Sequence, residues 1–276
     1  VVGVNGVFGL RMAEVAERLG AEVIAVDHPW GQPVSADRLL SAHPSPAMIA
    51  VVHAETSTGV RSEIKEIGAS KGDALLVMDC VTSVGGIPVE VDGWGVDIAY
   101  AGTQKCLGAP PGLAPFTASD RALERMLNRP PSWYLDLNLI AAYVTDEGSG
   151  RAYHHTAPIN DIRALHAALG AILDEGLDAV QARHRECGEL LAEGLSNLGF
   201  SPFAAEGSRL PHLATAYLPD GLDDVATRRA LLEDYGIEVG GGLGEVAGKI
   251  WRVSSMGNSA RTHNVNRFLA SLEALM

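Results

Sequence analysis

The stretch that decides the fold runs from 74 to 105 and reads ALLVMDCVTSVGGIPVEVDGWGVDIAYAGTQK. It contains two short apolar runs, 74–80 and 96–102, with a loop rich in glycine between them. Such runs, bounded by turn residues, are typical of buried strands in a parallel sheet. The first run carries Asp79 at its end, and Lys105 follows the second. Because the carboxyl ends of parallel strands meet at one edge, we expect these two side chains to share a rim of the sheet.

The residues on either side of this stretch continue the same pattern. Short apolar runs alternate with helical periodicity, which predicts βαβ units and a mostly parallel mixed sheet flanked by helices, an α/β fold. A possible antiparallel return strand lies at 113–119. The predicted strands of the N-terminal part are 1–4, 21–26 and 47–53, and the predicted helices are 11–19 and 62–71.

The pattern changes from Asp161 onward. Residues 161–198 have helical periodicity, with breaks predicted at the glycines of DEGLD and AEGLSNLG. Beyond them, strand patterns in LATAYLP, GIEVGGG and KIWRVSS alternate with helical patterns at 225–235 and 262–275. We therefore predict a large domain over 1–170 and a small C-terminal α+β domain over 171–276.

Composition narrows the class of protein. The 276 residues carry a net charge of −13 and no basic cluster, which argues against nucleic-acid binding. No apolar run is long enough to cross a membrane. The three cysteines are odd in number and widely spaced, which favours a reducing compartment, and we expect the cytoplasm. The sequence opens on VVGVNGVFG without a Met, so we expect it to be incomplete at this end.

The glycines of GVNGVFG (3–9) resemble a dinucleotide-binding turn only superficially. Their spacing is G-x-x-G-x-x-G, whereas the backbone approach to a pyrophosphate requires G-x-G-x-x-G. Asp27 ends the next predicted strand at a tolerable distance for a ribose contact. Tight strand–helix packing explains these glycines better than a nicotinamide or flavin cofactor does.

Asp79 and Lys105 together suggest a different cofactor. A buried carboxylate is costly unless a positive or hydrogen-donating group pairs with it, and a structural ion pair is one interpretation. The other is chemical, because a lysine in an apolar site has a lowered pKa and attacks aldehydes readily. Pyridoxal phosphate requires such a lysine for its Schiff base and an acid that keeps its pyridine nitrogen protonated.

Five ordered motifs carry a family resemblance. The chain resembles the class V aminotransferases of fold type I, and within them the alanine–glyoxylate and serine–glyoxylate (serine–pyruvate) group. The resemblance runs from residue 1 to the C-terminus. The motifs are HAETSTGV (53–60), MDCVTSVGGIPVEVDGWGVD (78–97), YAGTQKCLGAPPG (100–112), YHHTAP (153–158) and KIWRVSSMGN (249–258).

The resemblance implies roles around the ring of pyridoxal phosphate. Lys105 corresponds to the Schiff-base lysine and Asp79 to the acid at the pyridine nitrogen. Val81 corresponds to the aliphatic residue under the ring, and Phe8 to the aromatic residue on its other face. Thr56 falls where a hydroxyl contacts the 3-oxygen of the cofactor. Without the family context, Phe8 is equally well explained as a core residue.

The resemblance also implies contacts at the phosphate and the substrate. Gln104 is expected to help hold the phosphate. Tyr153 and Thr156 match residues that reach the phosphate from the neighbouring subunit, which implies a homodimer with a shared active site. Arg252 matches the arginine that binds the substrate carboxylate, a role that suits its bidentate guanidinium. From the residues alone, a polar loop at Tyr153 and a surface ion pair at Arg252 remain the alternatives.

Two departures from the family pattern bear on these roles. The glycine-rich segment that cradles the phosphate is expected upstream of NGVFG and is not in this sequence. After Arg252 the sequence reads VSSMG, where relatives tend to carry apolar and glycine residues, so the substrate pocket is expected to differ.

The implied activity is transfer of an amino group from alanine or serine to an oxo acid such as glyoxylate or pyruvate. Alternatives are a ureidoglycine–glyoxylate-type aminotransferase, a cysteine desulfurase or lyase on the same fold, and a degenerate relative without activity.

Overall fold

The computed structural model describes residues 1–144 and 152–276. The strands are β1 (Val2–Val4), β2 (Ala25–Asp27), β3 (Met48–Val52), β4 (Ala54–Glu55), β5 (Val60–Arg61), β6 (Leu75–Asp79), β7 (Ile98–Tyr100), β8 (Phe116–Ala118), β9 (Ser201–Pro202), β10 (Leu213–Tyr217), β11 (Gly240–Gly241) and β12 (Ile250–Ser254). The α-helices are α1 (Val7–Arg18), α2 (Ala36–Ser41), α3 (Lys65–Ser70), α4 (Asp120–Glu124), α5 (Leu137–Val144), α6 (Ile159–Glu175), α7 (Leu177–Asn197), α8 (Asp224–Tyr235) and α9 (Thr262–Glu273).

The larger sheet has six strands in the order β2-β1-β3-β6-β7-β8. All neighbouring pairs are parallel except β7 and β8, which are antiparallel. This arrangement confirms the predicted mostly parallel mixed sheet, and the return strand that was predicted at 113–119 is β8. The central strands β3 and β6 are almost wholly buried, as expected for strands covered on both faces.

The smaller sheet is antiparallel, in the order β11-β12-β10-β9, and has its own hydrophobic cluster. Trp251 and Leu272 are fully buried in that cluster, where α7 and α9 also contribute side chains. A separate cluster under the larger sheet contains Leu76 and Met78. The division into a large domain over 1–170 and a small domain over 171–276 stays a prediction, and its boundary at 170 falls inside α6.

Several predicted elements differ from those observed. In place of the predicted strand at 21–26 the structure has the shorter strand β2 (Ala25–Asp27). In place of the predicted helix at 62–71 it has the shorter helix α3 (Lys65–Ser70). Helix α1 begins at Val7, four residues before its predicted start. The hairpin of β4 and β5 and the short helices α2 and α4 had no clear signal in the sequence.

The predicted glycine breaks in the C-terminal helices are correct in part. Gly176 separates α6 from α7 with a φ of 89°, and Gly199 follows the end of α7 with a φ of 85°. Gly194, by contrast, lies within α7 and breaks nothing. A Cβ atom there would lie 2.2 Å from the side chain of Leu269, so this glycine allows α9 to approach closely. Sequence alone does not separate a packing glycine from a helix terminator.

None of the helices in the described part of the chain is long and apolar enough to span a bilayer.

Candidate active site

A cavity of about 500 Å³ lies at the carboxyl edge of the larger sheet. This edge forms where β3, β6 and β7 end, because Asp79 pairs in register with Val52 on one side and Tyr100 on the other. The volume is in the range of small-molecule sites. Six of the nine residues singled out from the sequence line the cavity: Phe8, Thr56, Asp79, Val81, Gln104 and Lys105.

Asp79 is a buried carboxyl group at the end of β6. Its Oδ1 atom accepts a hydrogen bond of 2.9 Å from the backbone N–H of Val81. Burial raises the pKa of Asp79, while the bonds from Val81 and the Tyr100 phenol act in the opposite direction. Asp79 forms no salt bridge with any described residue. A structural ion pair therefore does not explain why Asp79 and Lys105 occupy these positions.

Lys105 is half-buried in the loop that follows β7. Burial lowers the pKa of its amine, and the nearby positive charge of Arg252 lowers this pKa further. A larger fraction of the amine is therefore neutral at physiological pH than for an exposed lysine, and the neutral amine is the form that attacks an aldehyde.

The Lys105 loop lies directly against the loop that follows β12. Gly257 has a φ of 56°, and a Cβ atom at this position would lie 3.0 Å from the Lys105 carbonyl and 2.9 Å from the Gly108 Cα. Only glycine fits this contact without a shift of the backbone.

Arg252 projects from β12 of the smaller sheet. Its Nε donates a hydrogen bond of 2.8 Å to the Gly241 carbonyl in β11. Burial lowers the pKa of Arg252, and the charge of Glu55 acts in the opposite direction. Arg252 forms no salt bridge with any described residue, which argues against a surface ion pair. It does not line the cavity that contains Lys105, although its charge helps to lower the pKa of that lysine.

Phe8 and Thr56 approach the cavity from different elements. Phe8 lies in the first turn of α1, and the guanidinium of Arg11 lies 5.0 Å from its ring centroid. The hydroxyl of Thr56 shares a hydrogen bond of 2.8 Å with that of Thr82, and both line the cavity.

Tyr153 and Thr156 do not reach this cavity within one chain. Their hydroxyl groups lie 3.1 Å apart, and Tyr153 is 76% exposed. Between Tyr153 and Thr156, the ring of His154 stacks on that of Trp133 with a centroid distance of 4.3 Å.

Sequence reasoning missed three groups beside the cavity: Tyr100, Thr82 and Glu55. Tyr100 was hidden in an apolar strand, although its place in register with Asp79 follows once the two strands are aligned. Glu55 belongs to the motif HAETSTGV, but the sequence did not reveal that its side chain is completely buried.

Comparison with known proteins gives the family. Residues 9–268 match the family described as aminotransferase class-V. The chain belongs to this family. It is 35% identical to the (S)-ureidoglycine–glyoxylate transaminase of Bacillus subtilis (strain 168), covering all of this chain and 72% of that protein. It is 36% identical to the alanine–glyoxylate aminotransferase of Drosophila melanogaster, covering 99% and 71%.

A solved structure agrees with these relatives. The crystal structure of an alanine–glyoxylate aminotransferase from Nostoc sp. superimposes with a TM-score of 0.94 at 46% identity, covering 99% of this chain and 74% of that one. The chain therefore has the fold-type I architecture and is a pyridoxal phosphate-dependent aminotransferase.

The residues of the cavity fit this cofactor. The buried Asp79 forms no salt bridge with any described residue, although Arg11 lines the same cavity, so the carboxyl can pair with a protonated pyridine nitrogen. Lys105 offers an amine of lowered pKa in the same cavity. Phe8 and Val81 supply apolar surface for a ring, and Thr56 and Gln104 supply polar groups at its margin.

Proposed function

We propose that this aminotransferase moves the amino group of a small amino acid, alanine or serine, to glyoxylate, with pyruvate as the related acceptor. The observation that carries the proposal is the meeting of Lys105 and Asp79 in one cavity, while the charge of Arg252 acts on the lysine. The relatives named above support the acceptor, since their names specify glyoxylate.

The proposed chemistry divides among three residues. Bound pyridoxal phosphate supplies the electron sink that stabilises negative charge at the substrate Cα. Asp79 keeps the pyridine nitrogen protonated, and Arg252 binds the substrate carboxylate through its guanidinium. The Lys105 amine takes the proton from the substrate Cα, a task that its lowered pKa favours near neutral pH.

The remaining cavity residues are proposed to hold the cofactor. Phe8 and Val81 contact the ring, the Thr56 hydroxyl contacts its 3-oxygen, and Gln104 contacts the phosphate. These assignments rest on the cavity lining and on the family pattern.

We also propose a homodimer whose sites are shared between subunits. Helices α5 and α6 bury no residue within the described chain. Leu173 of α6 is more than half exposed, and so are Trp133 and Tyr134, which precede α5. A second copy would cover this apolar face and bring Tyr153 and Thr156 to the partner's phosphate.

Mixing two inactive variants tests the shared site. Lys105→Ala lacks the catalytic amine, and the double variant Tyr153→Phe/Thr156→Ala lacks the donated hydroxyls. If subunits are exchanged by partial denaturation and refolding, the mixed dimer carries one intact site and activity should return. Each variant refolded alone is the control. Absence of recovery in a dimer of verified mixed composition would contradict the shared site.

A second candidate donor is (S)-ureidoglycine, because one relative is named for it. The departure at Ser254 and Ser255 was expected to alter the substrate pocket. Neither residue lines the cavity that contains Lys105; with Arg252 they line a separate cavity beside β12. The donor is therefore identified by measuring activity with alanine, serine and (S)-ureidoglycine.

The structure disfavours a cysteine desulfurase or lyase reaction by this chain's own thiols. All three cysteines are buried. Burial raises the pKa of Cys80 and Cys106 to about 12, so neither supplies a thiolate nucleophile near neutral pH. Three unpaired thiols also support our proposal of a reducing compartment such as the cytoplasm.

A visible absorption spectrum tests the function. Purified protein is saturated with pyridoxal phosphate, and L-alanine, L-serine or (S)-ureidoglycine is added without an oxo acid. We expect a visible band that bleaches with the true donor and returns with glyoxylate. Lys105→Ala should lose the covalent band. A wild-type band that no donor bleaches would contradict the proposal.

A further inference from the structure

The first turn of α1 lies beside the cavity and carries Phe8. The first N–H groups of a helix have no acceptors within the helix and need them from elsewhere. The residue before α1 is Gly6, which has no side chain to provide one. The acceptors that order this turn therefore decide where the Phe8 ring stands.

All three first-turn amides are satisfied by the segment after β3. The Ser57 hydroxyl oxygen accepts a bond of 2.9 Å from the N–H of Val7. The Glu55 carboxylate accepts from the N–H groups of Phe8 and Gly9, each at 3.1 Å. Helix α1 is thus capped by residues 46 to 50 positions further along the chain.

The carboxylate of Glu55 is itself held rigidly. Its Oε1 accepts from the backbone N–H of Ser57 at 3.1 Å and from the Ser57 hydroxyl at 2.6 Å. Glu55 is 0% exposed, and it forms no salt bridge with any described residue. Amide dipoles at the start of a helix are the natural partners of such a buried negative charge.

The backbone packs directly on this carboxylate. A Cβ atom at Gly6 would lie 2.5 Å from the Glu55 Cδ and 2.4 Å from the Ser57 Oγ, so no side chain fits at position 6. Gly6 of NGVFG is therefore required because the backbone packs against the side chains of Glu55 and Ser57.

We propose that Glu55 is a positioning residue for the cofactor: by capping α1 it fixes Phe8 against the ring, and through the peptide bond to Thr56 it fixes the aromatic ring and the hydroxyl relative to each other. The proposal rests on the proposed role of Phe8. It assigns to Glu55 no contact with the substrate and no proton transfer.

The test begins with Glu55→Gln in the protein without added cofactor. The Phe8 and Gly9 N–H groups both donate to Oε2, and Ser57 donates to Oε1. The amide removes the charge and places an NH₂ group against N–H donors at one of these two positions, so either the capping bonds or the bonds that hold the side chain on Ser57 are weakened. Hydrogen exchange of the Phe8 and Gly9 amides should accelerate about 10-fold or more, as expected for a lost bond to a charged group. Asp223→Asn is the matched control, because Asp223 caps the remote helix α8 through a bond of 2.9 Å from the Ala226 N–H.

The link to the cofactor is tested by a double-mutant cycle. The dissociation constant for pyridoxal phosphate should rise about 10- to 100-fold in Glu55→Gln and stay unchanged in Asp223→Asn. In a Phe8→Ala background the same Glu55→Gln change should add much less, because the two residues act through one contact. The circular dichroism of the bound cofactor should change in Glu55→Gln as it does in Phe8→Ala.

Three results would overturn the inference. They are unchanged amide exchange, an unchanged dissociation constant, or an equal loss of affinity with and without Phe8. If Glu55→Gln does not fold, Ser57→Ala removes the Val7 acceptor and one bond to Glu55, and smaller shifts in the same direction are expected. Failure of the wild-type protein to bind pyridoxal phosphate would instead contradict the proposed function, and the inference with it.

Discussion

At the scale of single residues, the environment of Asp79 determines its chemistry. Asp79 and Tyr100 are register partners on β6 and β7, and the nearby phenol acts to lower the pKa of the carboxyl. Burial nevertheless raises the pKa of Asp79, because it outweighs the opposing charge of Arg11, which forms no salt bridge with this carboxyl. A cationic group in the cavity would reverse this shift, which links the stability of the site to cofactor binding.

The Asp79→Asn variant separates the contribution of the Asp79 charge to catalysis from its contribution to the stability of the cofactor-free protein. The amide oxygen can still accept from the Val81 N–H, but it carries no charge opposite a pyridinium. The rate of the half-reaction with the donor should fall about 10- to 100-fold or more, because a hydrogen bond to a charged group contributes about 1.5–3 kcal/mol. The melting temperature without cofactor should not fall, since a buried group with a raised pKa destabilises the charged state near neutral pH. Single-turnover kinetics and thermal unfolding check both parts, and a cofactor-free protein that melts far lower would contradict the second.

Much of the site was predictable at this scale, and the reason is physical. The types of Asp79 and Lys105 and their places after apolar runs predicted a shared edge of the sheet, and the structure confirms it. Glu55 was not predictable, because its role depends on contacts with Phe8 and Gly9 across 46 to 47 positions of sequence. Periodicity carries no information about such pairs.

At the scale of elements, close backbone contacts set several helix positions. In α7, a Cβ atom at Gly188 would lie 1.3 Å from the Pro211 carbonyl oxygen, so the helix rests directly on the chain before β10. In α6, a Cβ atom at Gly170 would meet nothing within 4 Å. Gly188 is therefore required for close packing, whereas Gly170 is not, although both lie within helices. The sequence does not distinguish such glycines from one another or from helix terminators, so the helix breaks were only partly predictable.

A matched pair of substitutions tests this contrast. Gly170→Ala should raise the free energy of unfolding by about 0.5–1 kcal/mol, because alanine restricts the unfolded chain and favours helix. Gly188→Ala should lower it by about 1–3 kcal/mol or more, because the helix must move off Pro211. Urea denaturation measures both. A neutral Gly188→Ala would mean that α7 is free to shift.

At the scale of the whole molecule, buried histidines lie where the two sheets meet. His53 follows β3, His212 precedes β10, and both are almost inaccessible to solvent. His184 of α7 stands with its ring centroid 6.2 Å from that of His212. Burial lowers the pKa of His53 to about 4 and that of His212 to about 3, and neighbouring Arg61 and His184 lower them further.

These shifts predict a loss of stability in mild acid. An unfolded histidine binds its proton near pH 6.5, whereas the folded His53 and His212 stay neutral down to about 4 and about 3. Between these limits the unfolded state holds more protons at His53 and His212, so each lowers the free energy of unfolding by about 1.4 kcal/mol per unit as pH falls. Burial also lowers the pKa of His28 and His184, which adds to this slope, whereas the raised pKa of Asp79 opposes it. Carboxyl groups of lowered pKa, such as Asp97, act in a separate window, below the ordinary aspartate pKa of about 4.

Urea denaturation from pH 7 to pH 4.5 measures this slope. His212→Gln removes one of these titrations and should reduce the slope between pH 6 and pH 4.5 by up to about 1.4 kcal/mol per pH unit. Its lower stability at pH 7 does not affect the comparison, because the slope counts protons and not contacts. His263→Gln, at an exposed position of α9, is the control and should leave the slope unchanged. An equal slope in all three proteins would mean that His212 is protonated in the folded state, and that the junction between the sheets tolerates its charge.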